Sequence, residues 1–438
     1  MYMDEQARQD RLNLPVARQQ EIYTAGLAKR RPAVPVDIKT LEETAARYMT
    51  DQAYAYIAGG AGREDTMRNN TAAFDKWRIL PRMLNNVAQR DTSIELFGRK
   101  HPSPFLLCPI GVLEMAHAEA DLAVARAAAS EQIPMIFSNQ ASRPMEACAA
   151  AMDKVRSGAP RWFQLYWSKS DDLVKSLVSR AERCGCEAIV VTLDTTLLGW
   201  RSRDLDQAHL PFLQGKGIAQ YTSDPVFLAS LDEPLPAAAD AGRPPINLNT
   251  LKSVLHAAQS FPEGTLHSLT TGRALAAVRR FIATYSRPSL TWDDLEFLRK
   301  HTKLPILLKG ILDPDDAKRA INRGIDGIIV SNHGGRQVDG SVATLEQLPK
   351  IAEAVAGKIP IIMDSGIRGG ADAFKALALG ATAVGIGRPY CYGLAIAGEN
   401  GVREVLANMQ ADFDLTMALA GCRSSAEITA ERIQAYSP

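Results

Sequence analysis

Three stretches of the chain place residue types that do chemistry at short spacing. Ser331-Asn332-His333-Gly334-Gly335-Arg336-Gln337 sets an imidazole three residues ahead of a guanidinium. A histidine so placed can accept a proton from a substrate whose carboxylate the arginine clamps. Asp364-Ser365-Gly366-Ile367-Arg368-Gly369-Gly370 and Gly385-Ile386-Gly387-Arg388-Pro389 are glycine-rich turns, each with an arginine. Glycine lets backbone amides approach an anion, a following helix N-terminus points its dipole at it, and the arginine adds paired donors. Both turns therefore read as phosphate cradles.

Such residues need a common platform. From about residue 104 a short apolar run, a polar or glycine end and a stretch of helical spacing recur, the signature of parallel βα units. The candidate strands are Phe105 to Pro109, Met135 to Ser138, Trp162 to Tyr166, Ile189 to Leu193, Ile306 to Lys309, Gly327 to Ser331, Ile361 to Asp364 and Ala383 to Ile386. Eight units predict an α/β fold, a closed (β/α)8 TIM barrel, whose strand ends open on the one face where active sites sit. Ser138, Gln164, Tyr166, Thr192, Asp194, Lys309, His333, Arg336, Asp364, Arg368 and Arg388 converge on that face. The two arginine turns follow strands seven and eight, where barrels often bind phosphate. AEADLAVARAAASEQ, DDLVKSLVSRAERCG, DDAKRAINRG and ADAFKALALG read as intervening amphipathic helices.

Two regions break the rhythm. Residues 1–103 form an N-terminal extension with one helical stretch, LEETAARYMTDQAYAYIAGG, and residues 104–438 form the barrel. Between strands four and five lies an insertion, about residues 202–288, rich in Pro, Ala and Asp and weakly periodic. Connections that long inside a barrel are usually lids, and the other reading is a surface decoration or oligomer contact.

Composition narrows the function. With 46% hydrophobic and 23% charged residues the chain has the material for a large core. Fifty Lys+Arg against 49 Asp+Glu leaves no basic excess for a nucleic-acid partner. No apolar run reaches the ~18 residues of a membrane span, so a soluble protein is expected. The first twenty residues carry charges throughout and lack a signal-peptide core, and the closing Ala-Tyr-Ser-Pro is not a peroxisomal address, which makes the cytoplasm the expected compartment. Six cysteines without a CxxC pair read as reduced and mostly buried, and no metal site is expected. Residue types alone leave a flavin-free lyase using Lys309 as a Schiff-base nucleophile, or an idle binding barrel, as other readings.

On SNHGGRQ at 331–337, and on AYIAGGAG, FDKWRILPRML, PIGV, FQLYW, VTLDTTLLGWR, LLKG, MDSGIRGG, ALALGATAVGIGRPY and DLTMALAGCRS in that order, the chain resembles the FMN-dependent α-hydroxy-acid oxidase and dehydrogenase family. PIGV, GWRSRDL, PFLQGKGIAQYTSDPVF and the enlarged fourth loop are similar to its lactate 2-monooxygenase branch. The resemblance implies FMN as cofactor, a small L-2-hydroxy acid and O2 as substrates, and a homo-tetramer or homo-octamer. It implies His333 as base, oriented by Asp194, with Tyr56, Tyr166, Arg201 and Arg336 on the substrate. Lys309 would lie by the flavin, with Ser138, Gln164 and Thr192 along its edge and Pro109, Ile110 and Gly111 covering it. Ser331 and Asp364 would complete the cofactor site, with Gly366, Arg368, Gly387 and Arg388 on its phosphate.

The same resemblance implies L-lactate plus O2 going to acetate, CO2 and water, or release of the 2-oxo acid and H2O2. Gly111 stands where related oxidases carry alanine and would leave room for oxygen. Gln140 stands where the family places an apolar residue, which implies either a more polar substrate or a bound water.

Overall fold

The computed structural model describes residues 14–234 and 247–436. The charged opening residues, the Pro- and Ala-rich middle of the insertion and the last two residues, on which some expectations rested, lie outside these.

Eight strands close a parallel barrel: β1 (Phe105–Leu107), β2 (Met135–Phe137), β3 (Arg161–Leu165), β4 (Ile189–Thr192), β5 (Ile306–Ile311), β6 (Gly327–Val330), β7 (Ile361–Met363) and β8 (Ala383–Ile386). Each pairs with the next in the chain, and β8 closes on β1 through Val384, Gly385 and Ile386 beside Phe105, Leu106 and Leu107. The apolar runs are continuous because both faces of every strand are buried. Alternation then sorts them. Leu106, Ile136, Trp162, Val190, Leu307, Ile329 and Ile362 fill the barrel interior. Their neighbours Phe105, Phe137, Phe163, Val191, Leu308, Ile328 and Met363 face the surrounding helices. A hairpin, Ile94–Leu96 with Arg99–His101, plugs the bottom, its Phe97 ring 5.7 Å from that of Trp162.

Strand ends differ from the expected ones in a consistent way. β1 stops at Leu107 rather than Pro109, and β2, β3, β4, β6 and β7 stop one residue short, at Phe137, Leu165, Thr192, Val330 and Met363. Ser138, Ser331 and Asp364 thus leave the ladder and turn onto the rim. β5 instead runs on to Ile311 through a register shift between Lys309 and Ile311. Gly310, at φ +106°, makes that bulge: a Cβ there would lie 2.8 Å from Cβ of Asp194, so glycine brings the β4 and β5 ends together.

The N-terminal helical stretch is two helices, α1 (Ile38–Ala45) and α2 (Asp51–Ala58). They separate because Thr50 is extended and its side chain accepts the Ala53 N–H, capping α2. Around the barrel run α3 (Ala120–Glu131), α4 (Met145–Val155), α5 (Asp171–Arg183), the short helix Leu295–His301, α7 (Pro314–Asn322), α8 (Thr344–Val355), α9 (Gly370–Ala378) and α10 (Arg388–Leu419), the last interrupted at Ala397 and Gly398, while α6 (Arg273–Thr284) belongs to the insertion.

The described part of the insertion holds more regular structure than its weak periodicity suggested. It contains α6, the helices Leu248–Ser260 and Thr265–Thr271, and turns of four or five residues such as Ala219–Thr222, too short to display a period. Arg180 of α5 ties it down, donating to Gln220 O at 2.6 Å, Ser223 Oγ at 2.7 Å and Asp224 Oδ2 at 3.0 Å. Among the described residues no helix is long and apolar enough to cross a membrane, and all six cysteines are free.

Candidate active site

The C-terminal strand ends surround a cleft of about 1290 Å³ including its mouth. Tyr56, Pro109, Ile110, Gly111, Ser138, Gln140, Tyr166, Arg201, Lys309, His333, Arg336, Asp364, Gly366, Arg368, Gly387 and Arg388 line it. Asp194, Gln164, Thr192 and Ser331 stand behind that wall. Gln164 donates to Thr192 Oγ1 at 3.0 Å and accepts from Ser138 Oγ at 3.2 Å, so its amide positions Ser138 and is taken up by protein. Ser331 Oγ accepts from Lys309 Nζ at 2.7 Å.

At one end His333 Nδ1 lies 2.8 Å from Asp194 Oδ1, with Thr195 Oγ1 bridging them at 3.1 and 3.2 Å. Burial pushes the His333 pKa down, against the pull of Asp194 and with the push of Lys309 and Arg201. Burial alone would raise the Asp194 carboxyl, yet His333 and Lys309 outweigh it and hold it at about 2. A neutral imidazole therefore donates through Nδ1 to an anionic carboxylate, which leaves Nε2 as the basic nitrogen.

Beside it, the Tyr56 ring lies under two cations, 5.1 Å from Arg336 Cζ and 6.0 Å from Arg201 Cζ. Arg336 donates to the carbonyls of Tyr56 at 2.5 Å and Gly59 at 2.9 Å. Burial and the neighbouring Arg201 bring its pKa down to about 9. At the opposite end Arg388 donates to the carbonyls of Ile57, Gly59 and Gly334, and Arg368 to that of Ile367. Among the described residues none of Arg201, Arg336, Arg368 and Arg388 has a carboxylate in ion-pair contact. Carboxylates act on these cations only from beyond contact, Asp204 on Arg201 and Arg336 and Glu42 and Glu64 on Arg388, so the arginines can take anionic ligands, one at each end of the cleft. Between them burial opposes the Lys309 ammonium, but Asp364, 3.1 Å from Nζ, and Asp194 outweigh it and hold the pKa above the ordinary lysine value. A carboxylate-bearing substrate and a phosphate-bearing cofactor that draws on a fixed cation fit this donor set.

Gly111 differs from the expectation. A Cβ at this position would lie 2.9 Å from Gln140 O and 3.0 Å from its Cβ. Glycine here allows the two loops to pack, with Val112 N–H donating to the same carbonyl at 2.9 Å, and opens no room for oxygen.

Several cleft residues escaped the sequence reading. Thr195 and Ser365 each follow an aspartate already singled out, and that adjacency was the available signal. Gln337 accepts from Arg201 Nη2 at 3.1 Å and donates to Asp194 O at 2.9 Å, binding the β4 and β6 loops together. Phe212, Phe281 and Tyr285 come from the insertion and roof the cleft. The Phe281 ring stacks on Tyr285 at 5.0 Å and meets Tyr221 edge-on at 4.8 Å.

Comparison with known proteins accounts for this arrangement. The model of the FMN-dependent dehydrogenase family matches residues 45–435. The chain is 42% identical over 390 residues to an L-lactate oxidase of Lysinibacillus sphaericus, covering 89% of this chain and 90% of that protein. It is 40% identical over 411 residues to an FMN-dependent α-hydroxy acid dehydrogenase of Schizosaccharomyces pombe, covering 93% of each. A crystal structure of mandelate oxidase with (S)-4-hydroxymandelic acid superposes with a TM-score of 0.74 at 33% identity, over 92% of this chain and 99% of that one. The chain belongs to the family of FMN-dependent α-hydroxy-acid dehydrogenases and oxidases, and is an FMN-dependent oxidoreductase acting on 2-hydroxy acids.

Proposed function

We propose that the substrate is a short L-2-hydroxy acid, L-lactate first, with O2 as the final electron acceptor. The observation that carries this reading is a neutral imidazole, His333, fixed by Asp194 beside a tyrosine and two arginines that have no carboxylate in contact among the described residues. His333 Nε2 accepts the substrate proton, and Asp194 holds the ring and stabilises its protonated form. Arg201 and Arg336 grip the carboxylate, and the Tyr56 and Tyr166 hydroxyls hold the substrate oxygens between them. Gln140 contacts the substrate side chain.

Bound FMN supplies the two-electron acceptor that passes the pair to O2. Arg368 and Arg388, with the backbone at Gly366 and Gly387, hold its phosphate. Asp364 and Lys309 meet it further in, the latter as a fixed cation where negative charge grows. Pro109, Ile110, Gly111 and Ser138 line its faces and edge, and Gln164, Thr192 and Ser331 orient them from one layer behind.

The finer reading is retention of the 2-oxo product under the roof of Phe212, Phe281 and Tyr285, so that L-lactate and O2 leave as acetate, CO2 and water. The aromatic side chains of the insertion over the cleft support this reading, since a covering segment would slow product release. Release of pyruvate and H2O2 is the second reading, favoured by the packing of Gly111 against Gln140 and by similarity to an L-lactate oxidase. Carbon NMR of labelled L-lactate turned over in air, with catalase present, separates the two. Labelled acetate supports retention, labelled pyruvate makes the protein an oxidase, and untouched lactate removes lactate as substrate.

A further inference from the structure

Two left-handed residues sit on adjoining loops of the cleft. His333 has φ +59° and Ser365 has φ +72°. Residues other than glycine adopt this conformation rarely and keep it where the surroundings over-determine it. Here one closed circuit of bonds does so. Lys309 Nζ donates to Ser331 Oγ at 2.7 Å, and the same hydroxyl accepts the His333 N–H at 3.1 Å. The next amide, that of Gly334, donates to Ser365 Oγ at 2.9 Å, and Ser365 Oγ donates to Asp364 Oδ1 at 2.7 Å. Asp364 Oδ2 returns to Lys309 Nζ at 3.1 Å.

The circuit is braced on both sides. Thr344 Oγ1 donates to the carbonyls of Asp364 and Ser365 at 2.8 and 3.0 Å, fixing the turn that carries the hydroxyl. Arg388 Nη1 donates to Gly334 O at 3.0 Å. The segment that follows His333 is therefore gripped at its amide by the loop after β7 and at its carbonyl by the start of α10, the two loops with the cofactor-side arginines.

We infer that Ser365 is a positioning residue for His333: its hydroxyl ties the backbone beside that histidine to the Asp364–Lys309 ion pair. The inference rests on the reading of His333 as proton acceptor. Asp194 fixes the imidazole at one point, Nδ1, and a ring held at one point can still swing about it. The Ser331 bond to the histidine's own amide and the Ser365 bond to the next one hold the backbone that carries the ring, and together they set where Nε2 stands. The Ser365 bond also makes the position of the base depend on the integrity of the cofactor side of the cleft. A displacement of about 1 Å in a reacting group costs up to roughly 100-fold in rate.

The test compares Ser365→Ala, Ser365→Gly and His333→Gln with the parent, all FMN-loaded and given the L-2-hydroxy acid that the parent turns over fastest. The readouts are anaerobic flavin reduction, KM and Tm. Alanine keeps the left-handed strain and glycine relieves it, so the two Ser365 variants differ in Tm while both lack the hydroxyl. Both are expected to reduce flavin roughly 10- to 100-fold more slowly and to equal extents, with KM held within about threefold because the arginines are untouched. A parental rate in either Ser365 variant, or slowing that follows Tm instead of the hydroxyl, overturns the inference. Slow His333→Gln with unimpaired Ser365 variants sinks the inference alone, whereas parental reduction by His333→Gln sinks the proton-acceptor reading beneath it.

Discussion

His333 and Asp194, 139 positions apart in the chain, meet at 2.8 Å across the ends of β6 and β4. Gly310 permits the approach, since a side chain there would strike Asp194. The pair converts a buried histidine into an oriented base with one free nitrogen.

Asp194→Asn keeps the shape and removes the charge that stabilises the imidazolium. The rate of flavin reduction is expected to fall about 10²- to 10⁴-fold with KM little changed. Stopped-flow bleaching of the flavin band measures this, and a loss under tenfold would exclude Asp194 from the proton transfer.

The pH dependence has a definite sign. His333 works neutral, and burial sets its pKa below the ordinary 6.5. The acid limb of kcat/KM is therefore expected with a midpoint below 6.5, activity falling as pH drops through it. Asp194 gives a separate effect on stability. Its folded pKa of about 2 lies below the ordinary 3.8, so its contribution is complete above the unfolded value and lost as pH falls from about 4 toward 2. That contribution is roughly 2 kcal/mol. Urea denaturation at pH 5 and pH 3 of the parent and Asp194→Asn checks it, the difference between the two proteins shrinking at the lower pH.

Gly111→Ala forces a methyl against Gln140 O and Cβ. Overpacking of this kind costs about 1–3 kcal/mol, and the Gln140 loop shifts to relieve it. Expected are a lower Tm and a raised KM, with the ratio of acetate to pyruvate unchanged. A changed product ratio at unchanged KM would restore glycine as a source of space for oxygen.

Arg368→Met removes a cation whose one side-chain hydrogen bond among the described residues is to the Ile367 carbonyl. Charged hydrogen bonds are worth ~1.5–3 kcal/mol, so FMN affinity should fall roughly 10- to 100-fold with the fold intact. Quenching of flavin fluorescence on titration into apoprotein gives the Kd, and an unchanged value would move the phosphate elsewhere.

Tyr221→Phe tests how the insertion is fastened to the rim. Asn139 Nδ2 donates to the Tyr221 hydroxyl at 2.6 Å in a fully buried contact, and its loss strands the amide. A destabilisation of about 1–3 kcal/mol is expected. If the insertion retains product, the variant should also release more free 2-oxo acid, measured by a coupled assay.

Local pattern alone determined the eight strands, four of the barrel helices and the rim positions of His333, Lys309, Asp364, Arg368 and Arg388, because short apolar runs and their polar or glycine-rich ends are properties of a few consecutive residues. Only the tertiary structure decided which of them face the cleft and which stand behind it. Gln164 and Ser331 have the same polar character as Ser138, and they stand behind the wall because barrel closure brings Thr192 and Lys309 beside them as partners. The insertion was legible as an interruption but not as a roof: Tyr285 and Phe281 reach the cleft through Tyr221, which Asn139 holds across 82 positions of chain. The meaning of Gly111 likewise rested on the Gln140 carbonyl, supplied by another βα loop. Contacts between loops brought together by barrel closure have no period and no spacing, so the sequence announces the residues while the closed barrel assigns their partners.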